Sequence, residues 1–329
     1  MSQVIGYAAS NSLLHGLKPI AFERLPPRAD EVQIDIRFCG VCHSDVHQVK
    51  NEWKNTVYPC VPGHEIVGVI SAVGSGVQRH RVGDLVGVGC MIDSCGSCDA
   101  CASGEEQYCE GENSWLATYN GPMVPKDKAP TKTNMYGRDN TFGGYSQSIV
   151  VKEKFVLRIP AKLDPAAAAP ILCAGVTMYS PLKTFGVKAG DTVGIVGLGG
   201  LGHLAVQLAR AMGAEVFVFT TSKDKVDEAH ALGAVRVVQQ DDTQAFADLK
   251  GRFDFMLSTV PEKHDVNPFI ALLKRDRTLV VAGAIEPLEP IDNMEMAMHR
   301  KRVAGTLIGS LKETQAVLDF CAQHGIAPL

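Results

Sequence analysis

Beyond residue 155 the apolar positions fall into short, nearly unbroken runs at 192–196, 216–219, 235–238, 253–258, 278–282 and 303–308, with amphipathic stretches between them. Six such runs alternating with helices predict a complete doubly wound parallel sheet. Before residue 155 the runs at 32–38, 65–73 and 84–89 are broken by glycine and proline, which predicts a mainly β half, a partly open barrel. Asp164 as N-cap, Pro165 in the first turn and Ala166 to Ala169 predict a helix between the two patterns. The stretch 113–140, with Pro122, Pro125, Pro130 and several lysines, has neither periodicity and reads as a long loop.

The length of 329 residues accommodates about two domains. With 21% charged residues, 46% hydrophobic residues and a formal net charge of -4, the chain reads as an ordinary globular protein, without the basic stripe that nucleic acid requires. The sequence has no apolar run long enough to span a bilayer. It begins Met-Ser-Gln-Val-Ile-Gly without an apolar leader, so its ten cysteines point to a reducing compartment, by default the cytoplasm.

Four of those cysteines, Cys95, Cys98, Cys101 and Cys109, are spaced to place four thiolates around one tetrahedral ion, for which zinc is the natural occupant. A disulfide framework suits a short secreted chain better, and the spacing matches neither common ferredoxin pattern. Asp93, Ser94, Gly96, Ser97 and Asp99 supply little apolar surface, so the metal would do the folding of this lobe. Cys42, His64 and Cys173 are candidates for a second site, although each alone is as readily a buried core residue. Two cysteines and one histidine leave a fourth position open to water or substrate, as in alcohol dehydrogenase, the standard example of that ligand set.

The run from Thr192 reads as a buried strand entering a glycine-rich turn and then a helix. Gly197, Gly199 and Gly202 fit G-x-G-x-x-G, with Gly200 and Leu201 inside the motif, and a second strand follows. Glycines there let the backbone approach a pyrophosphate, whose charge meets the free amides of the helix N-terminus. An NAD-selective site usually ends the second strand in an acidic residue. Here Thr220, Thr221 and Ser222 are followed by Lys223 and Lys225, a set suited to a 2'-phosphate and hence to NADP(H), although a solvated loop would look the same and Asp224 offsets one cation.

Taken together, Cys-Gly-Val-Cys-His-Ser-Asp at 39–45, Gly-His-Glu at 63–65, the segment 87–95, Gly-Gly-Tyr-Ser at 143–146, Leu-Cys-Ala-Gly-Val-Thr at 172–177 and Gly-Leu-Gly-Gly-Leu-Gly-His at 197–203 resemble the zinc-dependent medium-chain alcohol dehydrogenases. The resemblance is to the cinnamyl alcohol dehydrogenase branch and its bacterial aldehyde reductase relatives, and it covers essentially the whole chain. It implies an α/β protein with a GroES-like mainly β catalytic domain at 1–154 carrying the structural zinc lobe, a Rossmann domain at 155–311, and a segment at 312–329 returning to the catalytic domain. It implies two zinc ions per chain, with Cys42, His64 and Cys173 around the catalytic one, Glu65 close by and Asp45 orienting His64. By the same matching, Thr177, Thr259, Gly283 and a strand at Leu307 to Gly309 lie along the coenzyme.

The implied chemistry is hydride transfer between nicotinamide and a carbonyl polarised by zinc, with a proton relay through Ser44, the coenzyme ribose and His47. Without a relay, Ser44 is a helix-capping hydroxyl and His47 a surface residue. Trp53 and Trp115 are candidate aromatic walls for an aromatic or medium aliphatic aldehyde. The resemblance implies a homodimer. Relatives continue past residue 329 with a strand, a helix and a strand, so the chain is either truncated or ends early, and exposed apolar surface and lower stability are expected if nothing replaces those elements. The alternatives are an NAD-dependent polyol or secondary-alcohol dehydrogenase and a protein that binds coenzyme without turnover.

Overall fold

The computed structural model describes residues 2–13, 15–111, 118–120, 141–283 and 285–328. They form two compact units, one from the chain up to Cys173 together with Gly309–Ala327, the other from Ala174–Ile308.

In the first unit β1 (Ser2–Ala8) and β2 (Lys18–Arg24) make an antiparallel pair. Strands β3 (Glu31–Cys39), β4 (Ile66–Val73), β5 (Leu85–Val88), β6 (Ser148–Lys152) and β7 (Leu157–Arg158) form an antiparallel sheet in the order β6-β3-β4-β5-β7. Val32 and Ile34 of β3 and Ile66, Val67 and Ile70 of β4 are buried, so a slip of one residue would turn this set to the opposite face. That register positions the site: Cys39 pairs with Ile66, and the Gly40 amide donates to the Glu65 carbonyl at 2.9 Å. The segment leaving β3 and the segment entering β4 are thereby held side by side. The first begins α1 (His43–Lys50), and the second carries His64. Further along the chain come α2 (Asp99–Ser103) and α3 (Pro165–Pro170), with Asp164 Oδ1 accepting the Ala166 and Ala167 amides as its N-cap.

After α3 the helix widens into a π turn, Ile171–Gly175, before α4 (Val176–Thr184). Contrary to the expectation from sequence, the stretch Pro165–Thr184 is long and apolar enough to cross a membrane, because helices separated by the π turn run on as one; 78% of its apolar window is buried within the protein, as in a core helix.

The second unit is built on six parallel strands: β8 (Thr192–Val196), β9 (Glu215–Thr220), β10 (Arg236–Gln239), β11 (Phe253–Ser258), β12 (Leu273–Val281) and β13 (Arg302–Gly305), ordered β10-β9-β8-β11-β12-β13. Every residue of β8 and β11 is buried, which accounts for their continuous rather than alternating sequence pattern. Crossovers include α5 (Gly200–Ala211), α6 (Val226–Leu232), α7 (Thr243–Asp248), α8 (Asn267–Leu272) and α9 (Asn293–His299), and α10 (Leu311–His324) follows β13. The fully buried Phe219 ring meets Phe246, Phe253 and Phe269 at centroid distances of 5.5, 5.6 and 5.6 Å. Such a ring stabilises the fold by about 1.5–3 kcal/mol through burial.

The order in which strands are added reverses at β8, with β9 and β10 on one flank and β11 to β13 on the other. The crevice beyond the carboxyl ends of β8 and β11 is therefore a topological switch point, where open α/β sheets bind ligands. The expected last strand is shorter than its apolar run. β13 pairs with β12 only as far as Gly305 opposite Val281, and the Thr306 amide closes the ladder on the Val281 carbonyl at 3.3 Å. Leu307 and Gly309 thus follow the strand rather than forming part of it, because β12 has no further residues to pair.

Candidate functional site

Cys42 is the N-cap of α1, its sulfur accepting the Ser44 amide at 3.4 Å. A peptide N–H and the positive end of a helix both favour a thiolate there. The cap is therefore a sulfur, and Ser44, which sequence also allows as a capping hydroxyl, sits in the first turn half-buried with that role already filled.

Asp45 organises the cluster. Its Oδ1 accepts the Gly63 amide at 2.9 Å and lies 3.0 Å from His64 Nδ1, while its Oδ2 accepts the Cys42 amide at 3.0 Å and the Tyr145 hydroxyl at 2.9 Å. Burial raises the Asp45 carboxyl, but the His64 ring and the amides of Cys42 and Gly63 outweigh it and leave the group below its ordinary range. A carboxylate at Nδ1 fixes the proton on that nitrogen and turns the Nε2 lone pair outward. His64 Nε2 lies 3.2 Å from Cys173 Sγ. Cys173 sits in the π turn, a local widening often found where a helix presents a functional side chain.

One ligand atom from each of Cys42, His64, Glu65 and Cys173 lies within 4.8 Å of the others. Contact with Cys173 and then burial push the Cys42 thiol up. Cys42 lowers Cys173, but Cys90 and burial outweigh it and push Cys173 up to about 12. Burial lifts Glu65 to about 8. Burial and mutual crowding outweigh the lowering influence of His64 and favour the protonated forms of these groups, and a cation at the centre reverses that preference. Two thiols, an imidazole and a nearby carboxyl fit a borderline-soft divalent ion with an open position.

Neighbours that sequence reasoning missed complete the shell. The buried Tyr119 ring packs on His64 at 5.4 Å. A side chain at Gly40 would overlap the Glu65 carboxyl, so the glycine in Cys-Gly-Val-Cys is needed for close approach. His47 Nδ1 pairs with Glu52 Oε2, and the His47 ring meets Trp53 edge-on at 5.8 Å. His47 is thus tethered rather than free on the surface. Trp115 and nearly all of 113–140 lie outside the described residues.

Cys95, Cys98, Cys101 and Cys109 also bring their sulfurs within 4.8 Å of one another. The amides of Ser97 and Cys98 point at Cys95 Sγ at 3.5 and 3.3 Å, and those of Cys95 and Gly111 at Cys109 Sγ at 3.2 and 3.3 Å. The Ser97 and Cys98 amides lower Cys95 to about 6, whereas burial lifts Cys101 to about 11. This donor set fits a closed tetrahedral ion.

In the second unit Gly197 turns at φ 91°, a conformation suited to glycine, and a side chain at Gly202 would overlap the Gly197 carbonyl. A side chain at Gly199 or Gly200 would meet nothing, so the face over the α5 N-terminus is open. Leu201 lies in the first turn of α5, and Thr259 Oγ1 donates to the Val196 carbonyl at 2.9 Å, beside the glycine turn. A side chain at Gly283 would overlap the Val260 carbonyl, and Thr177 is buried on α4. β9 ends at Thr220, whose Oγ1 accepts the Ser222 amide at 3.1 Å. Thr221 lies between them, and Lys225 Nζ donates to the Leu198 carbonyl at 2.7 Å. The turn after β9 is thus tied to the glycine loop.

Residues 28–161 match the alcohol dehydrogenase GroES-like domain, and residues 200–323 match the zinc-binding dehydrogenase domain. The chain is 48% identical to aldehyde reductase YahK of Escherichia coli strain K12, over 94% of this chain and 85% of that protein. It superposes on the cinnamyl alcohol dehydrogenase SbCAD4 of Sorghum bicolor with a TM-score of 0.90 at 40% identity, covering 99% of this chain and 89% of the other. A Helicobacter pylori cinnamyl alcohol dehydrogenase complexed with NADP(H) gives 0.87 at 37% identity, covering 99% and 90%. With a thiol–imidazole cluster beside β3 and β4 and a glycine turn at the switch point of a parallel sheet, the chain belongs to the zinc-dependent medium-chain alcohol dehydrogenases, in the branch of cinnamyl alcohol dehydrogenases and aldehyde reductases.

Proposed function

We propose that this enzyme reduces aromatic or medium aliphatic aldehydes with NADPH, and oxidises the corresponding alcohols in reverse, at an ion held by Cys42, His64 and Cys173. The observation that carries the reading is the convergence of those three donors with Glu65 around one point, with Asp45 orienting the imidazole. In the same reading the first unit is the catalytic domain, the second binds coenzyme, and Cys95, Cys98, Cys101 and Cys109 hold a second, structural ion. When bound, the catalytic zinc supplies Lewis acidity toward a carbonyl oxygen.

The chain's own residues do the rest. Asp45 keeps the His64 proton on Nδ1, and Tyr145 holds Asp45 through its Oδ2. Ser44, on the helix capped by Cys42, would relay a proton, and His47, whose ring Glu52 holds, would exchange it with solvent. The glycine turn from Gly197 to Gly202 receives the pyrophosphate. Thr220, Thr221, Ser222 and Lys225 surround the 2'-phosphate, a reading supported by the absence of an acidic residue where β9 ends. Thr177, Thr259, Gly283, Leu307 and Gly309 line the remainder of the coenzyme.

A cytoplasmic location belongs to the same reading, supported by ten cysteines of which none is paired in a disulfide, and a homodimer is the expectation from the family. Initial rates with cinnamaldehyde test the proposal. NADPH oxidation at least tenfold faster than NADH oxidation is expected, and turnover with neither coenzyme in zinc-loaded protein would contradict it.

A further inference from the structure

The turn that follows β9 poses an electrostatic problem for the coenzyme reading above. From Lys223 to Glu228 it holds two lysines against Asp224, Asp227 and Glu228, so the segment said to receive a doubly charged 2'-phosphate is itself net negative. Glu228 lies in the first turn of α6, three residues after Lys225, which is the N-cap of that helix. An acid so placed opposes a phosphate and favours a free ribose hydroxyl.

Glu228 is engaged by His203. His203 Nε2 lies 2.8 Å from Glu228 Oε1, and its Nδ1 lies 2.6 Å from the carbonyl of Gly199, the N-cap of α5. Both partners are acceptors, so the ring satisfies them together only when both nitrogens carry protons, and the contact with Glu228 is then an ion pair. Pairing with His203 holds the Glu228 carboxyl below its ordinary range. A ring donating to both acceptors would offset the charge of Glu228. The same ring also joins the first turn of α6 to the glycine loop, alongside the Lys225 bond to Leu198.

We propose that His203 is a positioning residue for coenzyme selection. By binding Glu228 and Gly199 together, it withdraws an acid from the 2'-phosphate site and keeps the Lys225 turn against the glycine loop. The inference rests on the NADP(H) reading of that turn and adds a residue outside the phosphate-binding set.

The test is calorimetric binding of NADPH, NADH and adenosine 2',5'-bisphosphate to the full zinc-loaded chain, with thermal melts to confirm folding. His203→Ala should weaken NADPH and the bisphosphate about fivefold, the scale of one partly exposed charge contact, and leave NADH within about twofold. Adding Glu228→Gln to His203→Ala should restore much of the NADPH affinity, because the acid that repels the phosphate is gone. Equal weakening of NADPH and NADH without recovery in the double variant would reduce His203 to a packing group and overturn the proposal. So would unchanged affinities. Lys225→Ala separates the two readings. If it lowers the NADPH-to-NADH preference while His203→Ala does not, the inference alone falls. If His203→Ala lowers the preference and Lys225→Ala does not, the assignment of Lys225 fails and the role of His203 stands.

Discussion

Asp45 Oδ1 lies 3.0 Å from His64 Nδ1, and the same carboxylate takes the Tyr145 hydroxyl at 2.9 Å on its other oxygen. The outward-facing nitrogen of His64, Nε2, is thus set by a residue on the other side of the ring. Asp45→Asn keeps the shape but removes the charge, and outer-shell changes of this kind cost roughly 10–100-fold in metal affinity. Dialysis against a competing chelator should strip one zinc from Asp45→Asn at a chelator concentration the wild type withstands. Identical zinc retention would show that the contact does not support the site.

Cys101 tests the second cluster from its interior, buried on the short helix α2 within a lobe of polar residues. Cys101→Ser should leave about one zinc per chain and lower the melting temperature by several degrees, because such a lobe depends on its ion for folding. A variant with full zinc content and an unchanged melt would refute a closed four-cysteine site.

Asp254 supplies a pH test away from both clusters. Burial raises its carboxyl, but Lys274 at 2.7 Å, the Thr192 amide at 3.1 Å and Arg277 at 3.1 Å more than compensate, so it titrates below its ordinary range. A depressed folded value means stability fully present above the unfolded pKa of about 3.9 and lost as pH falls through the folded value. Asp254→Asn should therefore cost about 1–3 kcal/mol in urea unfolding at pH 7, the scale of a lost charge-assisted bond. The difference from wild type should shrink as the pH is lowered past 4. A constant difference across that range would contradict the assignment.

Coenzyme choice rests on the end of β9. Thr220→Asp with Lys225→Ala should lower kcat/KM for NADPH by about 10–100-fold, equivalent to losing roughly 1.4–2.8 kcal/mol of phosphate contact, while NADH use is retained or improved. Unchanged preference would remove these residues from the 2'-phosphate site.

For the proton relay, His47→Gln removes an ionisable ring that Glu52 and Trp53 hold in place. It should reduce alcohol oxidation most at low pH, where a base is hardest to replace from solvent, by about 10-fold on the scale of general-base loss. A full rate across the pH range would exclude His47.

Cys95, Cys98, Cys101 and Cys109 were legible from their spacing, whereas Cys42, His64 and Cys173, dispersed along the chain, were candidates by residue type and were joined only by the family resemblance; the ligand atoms of each set do lie close together. The helix from Asp164 and the parallel sheet were legible because caps and fully buried strands leave strong local patterns. Strand β2 was not: it is half-exposed and contains Pro19, so its alternation is weak. The end of β13 is set by where β12 stops, a tertiary fact absent from its own apolar run. Tyr119 was missed because it lies within a stretch without periodicity and reaches His64 only through the fold. Tyr145 stood within a recognised motif, but its bond to Asp45 spans a separation of 100 residues.

The most direct test measures zinc per chain and the NADPH-dependent rate on cinnamaldehyde in the same preparations of wild type and Cys42→Ser. The account predicts about two zinc ions and rapid turnover for wild type, and about one zinc ion with a rate at least 100-fold lower for Cys42→Ser, the scale of losing a metal centre that stabilises developing charge. Full turnover in a Cys42→Ser enzyme that has lost one ion, or equal zinc content in the two proteins, would contradict it.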